Sequence, residues 1–273
     1  MKKQYQNLRF FSILLIVVML SGLFFIGCSE KNQSGSSGSE QAVIQVSTID
    51  ALMTGVYEGN ITLKDLTRWG DFGIGTFNAL DGEMVLLDGT FFQVQGSGVV
   101  NKPESSTKTP FATVTFFNPE SNYPLSGLSF DGLKSVVDSL MKSPNFFYAM
   151  RVTGTFNSVK TRSVFAQTKP FLPLVEVTAN QPEFEADTIT GILTGFYCPP
   201  FVKGVNVPGY HLHFISDDHL FGGHVLSFEL EAGTLEIDQI DRFILMLPHD
   251  NGFLEADLTD DLSDELEDVE GGN

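Results

Sequence analysis

Short runs that alternate apolar and polar residues recur along the chain and predict a protein built mainly of β-strands. Residues 84–87 and 90–94 flank an Asp-Gly turn that is typical of a hairpin. Residues 128–141 instead repeat apolar side chains at the 3.6-residue spacing of a helix. Further strands are predicted at 43–48, 111–117, 146–156 and 164–167, and shorter helices at 49–57 and 62–68. Together these elements predict an α+β fold with few helices and with mixed or antiparallel sheets.

Part of this pattern occurs twice, about 140 residues apart, which suggests an internal duplication. Leu-Met-Thr-Gly-Val-Tyr at 52–57 matches Ile-Leu-Thr-Gly-Phe-Tyr at 192–197. The repeat predicts two related lobes that share a sheet or pack face to face. We expect an N-terminal α+β lobe at residues 42–180 and a C-terminal, metal-binding lobe with an acidic tail at residues 181–273.

The N-terminus has the succession of regions that is typical of a secretory signal peptide. Three basic residues precede an apolar run at 10–26, and the run ends in Gly-Cys-Ser. This ending resembles a bacterial lipobox, apart from Phe25 where an aliphatic residue is usual, and it makes Cys28 the lipidated first residue after cleavage. We expect a signal peptide at 1–27, a lipid-anchored flexible tether at 28–41, and an exported protein facing outside the cytoplasm. The alternatives are an uncleaved N-terminal anchor and simple secretion.

Composition narrows the possible partners. The formal net charge of −18 argues against a nucleic-acid partner, and it does nothing to attract an anionic substrate from a distance. An anionic substrate therefore needs local cations. Once Cys28 is lipidated, Cys198 is the one remaining cysteine, so no internal disulfide is expected. No phosphate-binding glycine loop or nucleophile elbow is present in the sequence.

Histidines are concentrated in one stretch of the chain. Four of the five lie within residues 211–224. His211 and His213 are two residues apart in a strand-like run, which points both rings to one face, and a hairpin would return His224 to their side. Three imidazoles from two paired strands are typical of a zinc site with a position open to water or substrate. The alternative is a set of half-exposed histidines on a sheet surface.

The duplication gives the histidines possible partners. An offset of about 140 residues aligns Thr76 with His213, and Glu83 with His224. If a pseudo-twofold axis relates the lobes, Thr76 and Glu83 face the histidines across a shared cleft, and the metal site lies at the interface between the lobes. The alternative is that Glu83 is an ordinary carboxylate of a turn.

Arg162 lies between two strand-like segments, in Lys-Thr-Arg-Ser-Val. A guanidinium beside a metal site is a natural bidentate clamp for a carboxylate, but Arg162 could equally be a surface residue beside Lys160. The sequence leaves both interpretations open. Residues 254–273 form an acidic segment that is either helical or disordered, and composition assigns none of its residues to a site.

Several long motifs resemble those of the α-acetolactate decarboxylase family. The resemblance runs from about residue 43 to the C-terminus. The longest motifs that support it are Gly-Asp-Phe-Gly-Ile-Gly-Thr-Phe-Asn-Ala-Leu-Asp-Gly-Glu at 70–83 and Gly-Tyr-His-Leu-His-Phe-Ile-Ser-Asp-Asp at 209–218. Shorter motifs that support the resemblance lie at 110–117, 161–164, 167–170 and 222–226.

This resemblance implies a zinc-dependent decarboxylation of (S)-2-acetolactate to (R)-acetoin and carbon dioxide. It implies one zinc ion per chain as the electron sink for the enediolate, Arg162 as the clamp on the carboxylate, and Glu83 or a tail glutamate as the proton donor. Glu270 is the tail residue that matches best, although Glu265 and Glu267 lie close by. A homodimer is possible, and no organic cofactor is needed. The implied zinc ligands and further site residues are His211, His213, His224, Thr76, Glu83, Arg162 and Glu270.

Two other functions compete with this one. The first is an exported zinc-binding lipoprotein without catalysis, which would need a closed ligand shell, and His219 is the spare histidine that could complete it. The second is an inactive relative that serves as an envelope binding module. The presence of Glu83 and Arg162 beside the three histidines argues against decay of an active site.

Overall fold

The protein was studied as a computed structural model, which describes residues 41–271. The predicted signal peptide, Cys28 and all but the last residue of the predicted tether lie outside these residues. Within residues 41–271, no helix has the length and apolar character needed to cross a membrane.

Fourteen strands and six α-helices are present in the described residues. The strands are β1 Val43–Val46, β2 Ile61–Thr62, β3 Phe72–Thr76, β4 Glu83–Leu87, β5 Thr90–Val94, β6 Val100–Asn101, β7 Lys108–Thr109, β8 Ala112–Thr115, β9 Ser121–Ser129, β10 Phe147–Arg162, β11 Glu183–Cys198, β12 Gly209–Ser216, β13 Gly222–Ile240 and β14 Phe243–Met246. The helices are α1 Ile49–Met53, α2 Leu63–Leu66, α3 Phe130–Leu140, α4 Leu174–Thr178, α5 Asn251–Glu255 and α6 Ser263–Gly271. The expected α+β class, with mostly sheet and few helices, is confirmed.

Two sheets make up most of the fold. A seven-stranded sheet has the order β14-β1-β8-β3-β4-β5-β6 and is antiparallel except for the parallel pair of β1 and β14. A five-stranded antiparallel sheet has the order β10-β11-β12-β13-β9. Strand β10 also pairs with β13, which joins the two ends of the series β10 to β13. The long strands of this second sheet carry the histidine-rich stretch.

Alternation along β11 and β12 determines what each face of the second sheet contacts. Phe196 and Ile215 pack with Phe72 and Val85 of the first sheet. Residues one position away point to the opposite face, where Leu193, Leu212 and Phe214 form a core cluster against α3. The side chains of His211 and His213 have the same parity as Ile215, so both lie on the face toward the first sheet.

Two local expectations differ from the structure. Residues 164–167 are not a strand, because β10 continues unbroken to Arg162 through several register irregularities and the chain then leaves the sheet. The two copies of the predicted repeat at 52–57 and 192–197 fold differently. The first copy contains the last two residues of α1. This helix begins after Thr48, whose side chain accepts a hydrogen bond from the Ala51 amide. The second copy lies within β11, where strands on both sides supply backbone partners.

The sheets also divide differently from the predicted lobes. Strands β9 and β10 precede residue 180 but belong to the five-stranded sheet, and β14 follows it but pairs with β1 in the seven-stranded sheet. The chain therefore passes between the two sheets more than once. The acidic tail, for which composition allowed helix or disorder, forms helix α6.

Candidate metal centre

Three histidines converge on one point between the sheets. His211 and His213 lie on β12, and His224 lies on β13 directly opposite His213 in the hairpin register. One ligand atom from each of the three rings lies within 4.8 Å of the others. The Nδ1 atom of His224 is 3.2 Å from the Nε2 atom of His211. The hairpin predicted from the sequence therefore brings together the histidines that were expected to meet.

The tautomer of His213 is determined by the first sheet. Its Nδ1 atom lies 2.8 Å from the carbonyl oxygen of Met84 on β4. Because a carbonyl only accepts, Nδ1 carries the proton and donates it, and the lone pair of Nε2 points into the site. That Nε2 atom is buried and has no hydrogen-bond partner. An orphaned buried acceptor of this kind needs a ligand from outside the protein.

Burial keeps the imidazoles neutral. It lowers the pKa of His211 to about 3, and the positive charge of Arg162 acts in the same direction. Burial also lowers the pKa values of His213 and His224 well below their ordinary value, with further lowering from Arg162 and from the neighbouring imidazoles. Neutral imidazole is the form that binds metal ions.

Thr76 and Glu83 reach the site from the first sheet. They lie opposite each other on β3 and β4 and are joined by residues 77–82, a loop that contains the short 3-10 helix Asn78–Leu80. The hydroxyl of Thr76 donates a hydrogen bond to the carbonyl oxygen of Gly82, 2.8 Å away, so Thr76 holds the turn that presents Glu83. The Oε2 atom of Glu83 is 3.5 Å from the Nε2 atom of His213. Burial raises the pKa of Glu83 to about 8, against a lowering by Arg162, while Glu270 adds to the increase.

Arg162 is the last residue of β10, where it pairs with His224 on one side and with Glu183 on the other. It is 3% exposed. Its charge influences the pKa values of all three histidines and of both nearby glutamates. Among residues 41–270, no side chain forms a salt bridge or hydrogen bond with its guanidinium. A buried guanidinium without a protein partner is costly, and an anionic ligand would offset that cost.

Glu270 completes the ring of polar groups from helix α6. Its Oε2 atom is 3.7 Å from the Nε2 atom of His211 and 3.8 Å from that of His224. Leu266 and Val269 hold the helix in place, because both are buried in a cluster with α1 and α4. Burial raises the pKa of Glu270 to about 7, although Arg162 lowers it. Glu270 is thus the tail carboxylate at the site, while Glu267 is exposed.

This donor set fits a divalent metal ion. It offers three neutral imidazoles, one of them with an orphaned nitrogen lone pair, and two carboxylates at 3.5–3.8 Å from those rings. Three protein nitrogens with room for a further ligand are typical of catalytic zinc sites. His219, which sequence reasoning left out of the site, is exposed and packs against Phe92.

All seven residues singled out in the sequence surround one cavity of about 50 Å³. The remaining walls are mostly apolar and come from α1, α4 and α6 and from the segments next to β3, β8 and β10. Sequence reasoning missed two polar wall residues, Thr178 of α4 and Gln181. Gln181 lies between α4 and β11. Nothing in its local sequence could have revealed it, because it belongs to no motif and its position depends on how the second sheet folds back.

Comparisons with known proteins agree with the motifs. A family model described as alpha-acetolactate decarboxylase matches residues 43–260. A relative with that name from Methanosarcina mazei is 44% identical over 236 residues, which cover 86% of this chain and 82% of the relative. Another from Brevibacillus brevis is 43% identical over 221 residues, covering 81% of this chain and 78% of the relative.

The fold is similar to that of a solved relative. The crystal structure of alpha-acetolactate decarboxylase from Bacillus subtilis strain 168 has a TM-score of 0.82 and 36% sequence identity, and the match covers 85% of this chain and 100% of that one. The family model ends before helix α6, so Glu270 lies outside the residues that it matches.

Proposed function

The chain belongs to the alpha-acetolactate decarboxylase family of carboxy-lyases, and from this premise we propose that it is a zinc enzyme converting (S)-2-acetolactate to (R)-acetoin and carbon dioxide. The observation that carries the zinc proposal is the convergence of His211, His213 and His224, with the lone pair of His213 Nε2 buried and unpartnered. Zinc is the usual occupant of a site with three neutral imidazoles.

Binding of an anionic substrate requires a positive charge at the site. Acetolactate is an anion, and the protein carries a formal net charge of −18, so the substrate needs a local cation. Arg162 meets that need, because its guanidinium is buried at the cavity and has no carboxylate partner among residues 41–270. It clamps the substrate carboxylate and fixes which bond of the substrate faces the histidines.

Loss of carbon dioxide leaves an electron pair that must be stabilised. A zinc ion held by the three histidines would act as a Lewis acid and stabilise that negative charge. The walls from α1, α4 and α6 exclude water from the reacting carbon, which strengthens the electrostatic interactions inside the cavity. The 3-keto group of the substrate accepts the electrons, so no organic cofactor is required.

Protonation of carbon sets the configuration of acetoin. Glu83 and Glu270 are both candidates, since burial raises the pKa of the first to about 8 and of the second to about 7. A carboxylic acid that stays protonated near neutral pH is suited to general acid catalysis. Glu83 approaches His213 from β4, and Glu270 approaches His211 and His224 from helix α6, so the two carboxylates reach the site from different directions.

The proposal includes an internal duplication with the site between its halves. Two observations support it. Thr76 pairs with Glu83 on β3 and β4, and His213 pairs with His224 on β12 and β13, so the two aligned residues of each hairpin lie directly opposite each other. The two hairpins face each other, because Met84 beside Glu83 accepts the hydrogen bond from His213.

We further propose that the enzyme is exported and held at the membrane by a lipid on Cys28, and that it forms a homodimer. The basis for export is the basic, apolar and small-residue order of residues 1–28. Cell fractionation of wild type and Cys28→Ser tests the anchor: the wild type should sediment with membranes and the variant should not. Wild-type protein found in the soluble fraction would reject the lipid anchor. Light scattering of the purified protein tests the dimer.

The function itself is tested by adding racemic acetolactate to purified protein with and without a chelator. Acetoin formation that the chelator stops, and that added zinc restores, is the expected result. Tight zinc binding without turnover would instead support a zinc-binding lipoprotein. Neither turnover nor tight zinc binding would favour an inactive binding module.

A further inference from the structure

Gln181 has an unsatisfied polar atom at the proposed active site. Its side-chain Oε1 atom is buried and has no hydrogen-bond partner. The residue lines the same cavity as the three histidines, Glu83 and Glu270. It also lines a second cavity of about 230 Å³, which shares Arg162 and Thr178 with the first and is also lined by Glu183 and Asp268. Gln181 and Arg162 therefore both line the two cavities, at the place where the proposed function puts the substrate carboxylate.

The backbone around Gln181 holds this position. The amide of Gln181 donates to the carbonyl of Thr178 at the end of α4, and the carbonyl of Pro182 accepts from the amide of Ser163, directly after Arg162. Gln181 is thus tied to the segment that carries the arginine. A buried amide oxygen in such a place costs free energy unless a donor reaches it.

A carboxamide is complementary to a 2-hydroxy acid. Its oxygen accepts a hydrogen bond from the hydroxyl group, and its NH₂ group donates to the carboxylate on the same carbon atom. In acetolactate the tertiary hydroxyl is the one hydrogen-bond donor at neutral pH, which makes it the natural partner for the orphaned Oε1 atom. The carboxylate beside it is the group that Arg162 clamps in the proposed function.

We propose that Gln181 is a substrate-binding residue that recognises the 2-hydroxycarboxylate unit of acetolactate together with Arg162. This inference rests on the proposed function and adds to it the residue that accepts the hydrogen bond of the substrate hydroxyl. Gln181 fixes the rotation of the substrate about the arginine clamp, so that the hydroxyl points toward the cavity wall and the scissile bond keeps one orientation. After carbon dioxide leaves, the carboxylate contact is lost and the product is held more weakly.

The test compares two non-reacting acids by calorimetry on the zinc-loaded protein. The first is 2-hydroxy-2-methylpropanoate, which has the hydroxyl, and the second is 2-methylpropanoate, which lacks it. Wild type should bind the hydroxy acid more tightly. Gln181→Met, which keeps the length of the side chain but not its polarity, should lower that preference about fivefold or more. Its KM for acetolactate should rise about tenfold while its zinc content stays that of wild type.

Thr178→Val is the matched control for the binding preference. Thr178 lines both cavities, but its hydroxyl already donates to the carbonyl of Leu174, so its removal should leave the ratio of the two affinities unchanged. Gln181→Glu serves if the methionine variant does not fold, because it keeps the shape and adds a charge that repels the substrate carboxylate. It should raise KM at least as much as Gln181→Met.

The outcomes separate this inference from the proposed function. An inactive, zinc-free wild type would reject both. An active wild type combined with a Gln181→Met protein of unchanged KM and unchanged affinity ratio would reject the role of Gln181 alone. A loss of preference in Gln181→Met but not in Thr178→Val supports it.

Discussion

The Nδ1 atom of His213 lies 2.8 Å from the carbonyl oxygen of Met84, and this hydrogen bond joins the second sheet to the first. It connects the metal centre to the strand that begins with Glu83. The orientation of the imidazole is therefore determined by tertiary packing rather than by the hairpin that contains it. A backbone carbonyl behind a histidine ligand raises the basicity of the ring and fixes the direction of its lone pair.

Replacing His213 with alanine should abolish both bound zinc and acetoin production. The variant loses one of three nitrogen ligands and the only one that is oriented by the other sheet. Metal analysis and an acetoin assay on the same preparation measure the two effects. His219→Ala is the control, since His219 is exposed and packs against Phe92 outside the site, and it should keep both properties. A zinc-free His213→Ala protein that remained active would refute the proposed mechanism.

Glu83→Gln and Glu270→Gln should each lower kcat about a hundredfold or more, because each removes a buried acid close to the histidines. Only the proton donor should also affect stereochemistry. In its absence water protonates both faces of the enediolate, and chiral chromatography should find racemic acetoin.

Glu267→Gln is the control for this pair, because Glu267 is exposed on the same helix as Glu270. It should retain wild-type kcat and (R)-acetoin. If Glu83→Gln and Glu270→Gln both still gave pure (R)-acetoin, neither carboxylate would be the donor.

Gly82→Ala should destabilise the protein by about 3 kcal/mol or more. Gly82 has φ +84°, and a Cβ atom there would lie 2.2 Å from the carbonyl oxygen of Val94. Gly89 has φ +75° but nothing within 4 Å of an added Cβ atom, so Gly89→Ala should cost only the backbone strain of about 1 kcal/mol. Urea unfolding at constant zinc loading measures both. Equal losses would show that contact with Val94 does not constrain the turn.

Leu266→Asp should detach helix α6 from the site. Leu266 is buried in the cluster that contains Ile49 and Leu174, and a charge there cannot be accommodated. The variant should lose most of its activity through misplacement of Glu270 while the three histidines retain zinc. Glu267→Ala, on the exposed side of the same helix, should keep wild-type activity. Full activity in Leu266→Asp would mean that the tail is dispensable.

Local pattern was a good guide to the elements near the site. The hairpin of β4 and β5 and the helix α3 lie where their patterns predicted them, and the histidines of β12 and β13 meet as their spacing required. Alternation and helical periodicity are properties of the chain alone, because they record which side of an element is buried. The repeat was a less reliable guide to secondary structure, since residues 52–57 and 192–197 are similar in sequence but have different backbone partners.

The sequence by itself determined the α+β class, the family and the chemical types at the metal centre. Only the tertiary structure decided which groups are buried together. It brought Glu270 to the histidines through the packing of Leu266 and Val269, oriented His213 through a carbonyl of the other sheet, and left Oε1 of Gln181 without a partner. These relationships join residues that are distant along the chain, so they depend on long-range packing and burial that no local pattern records.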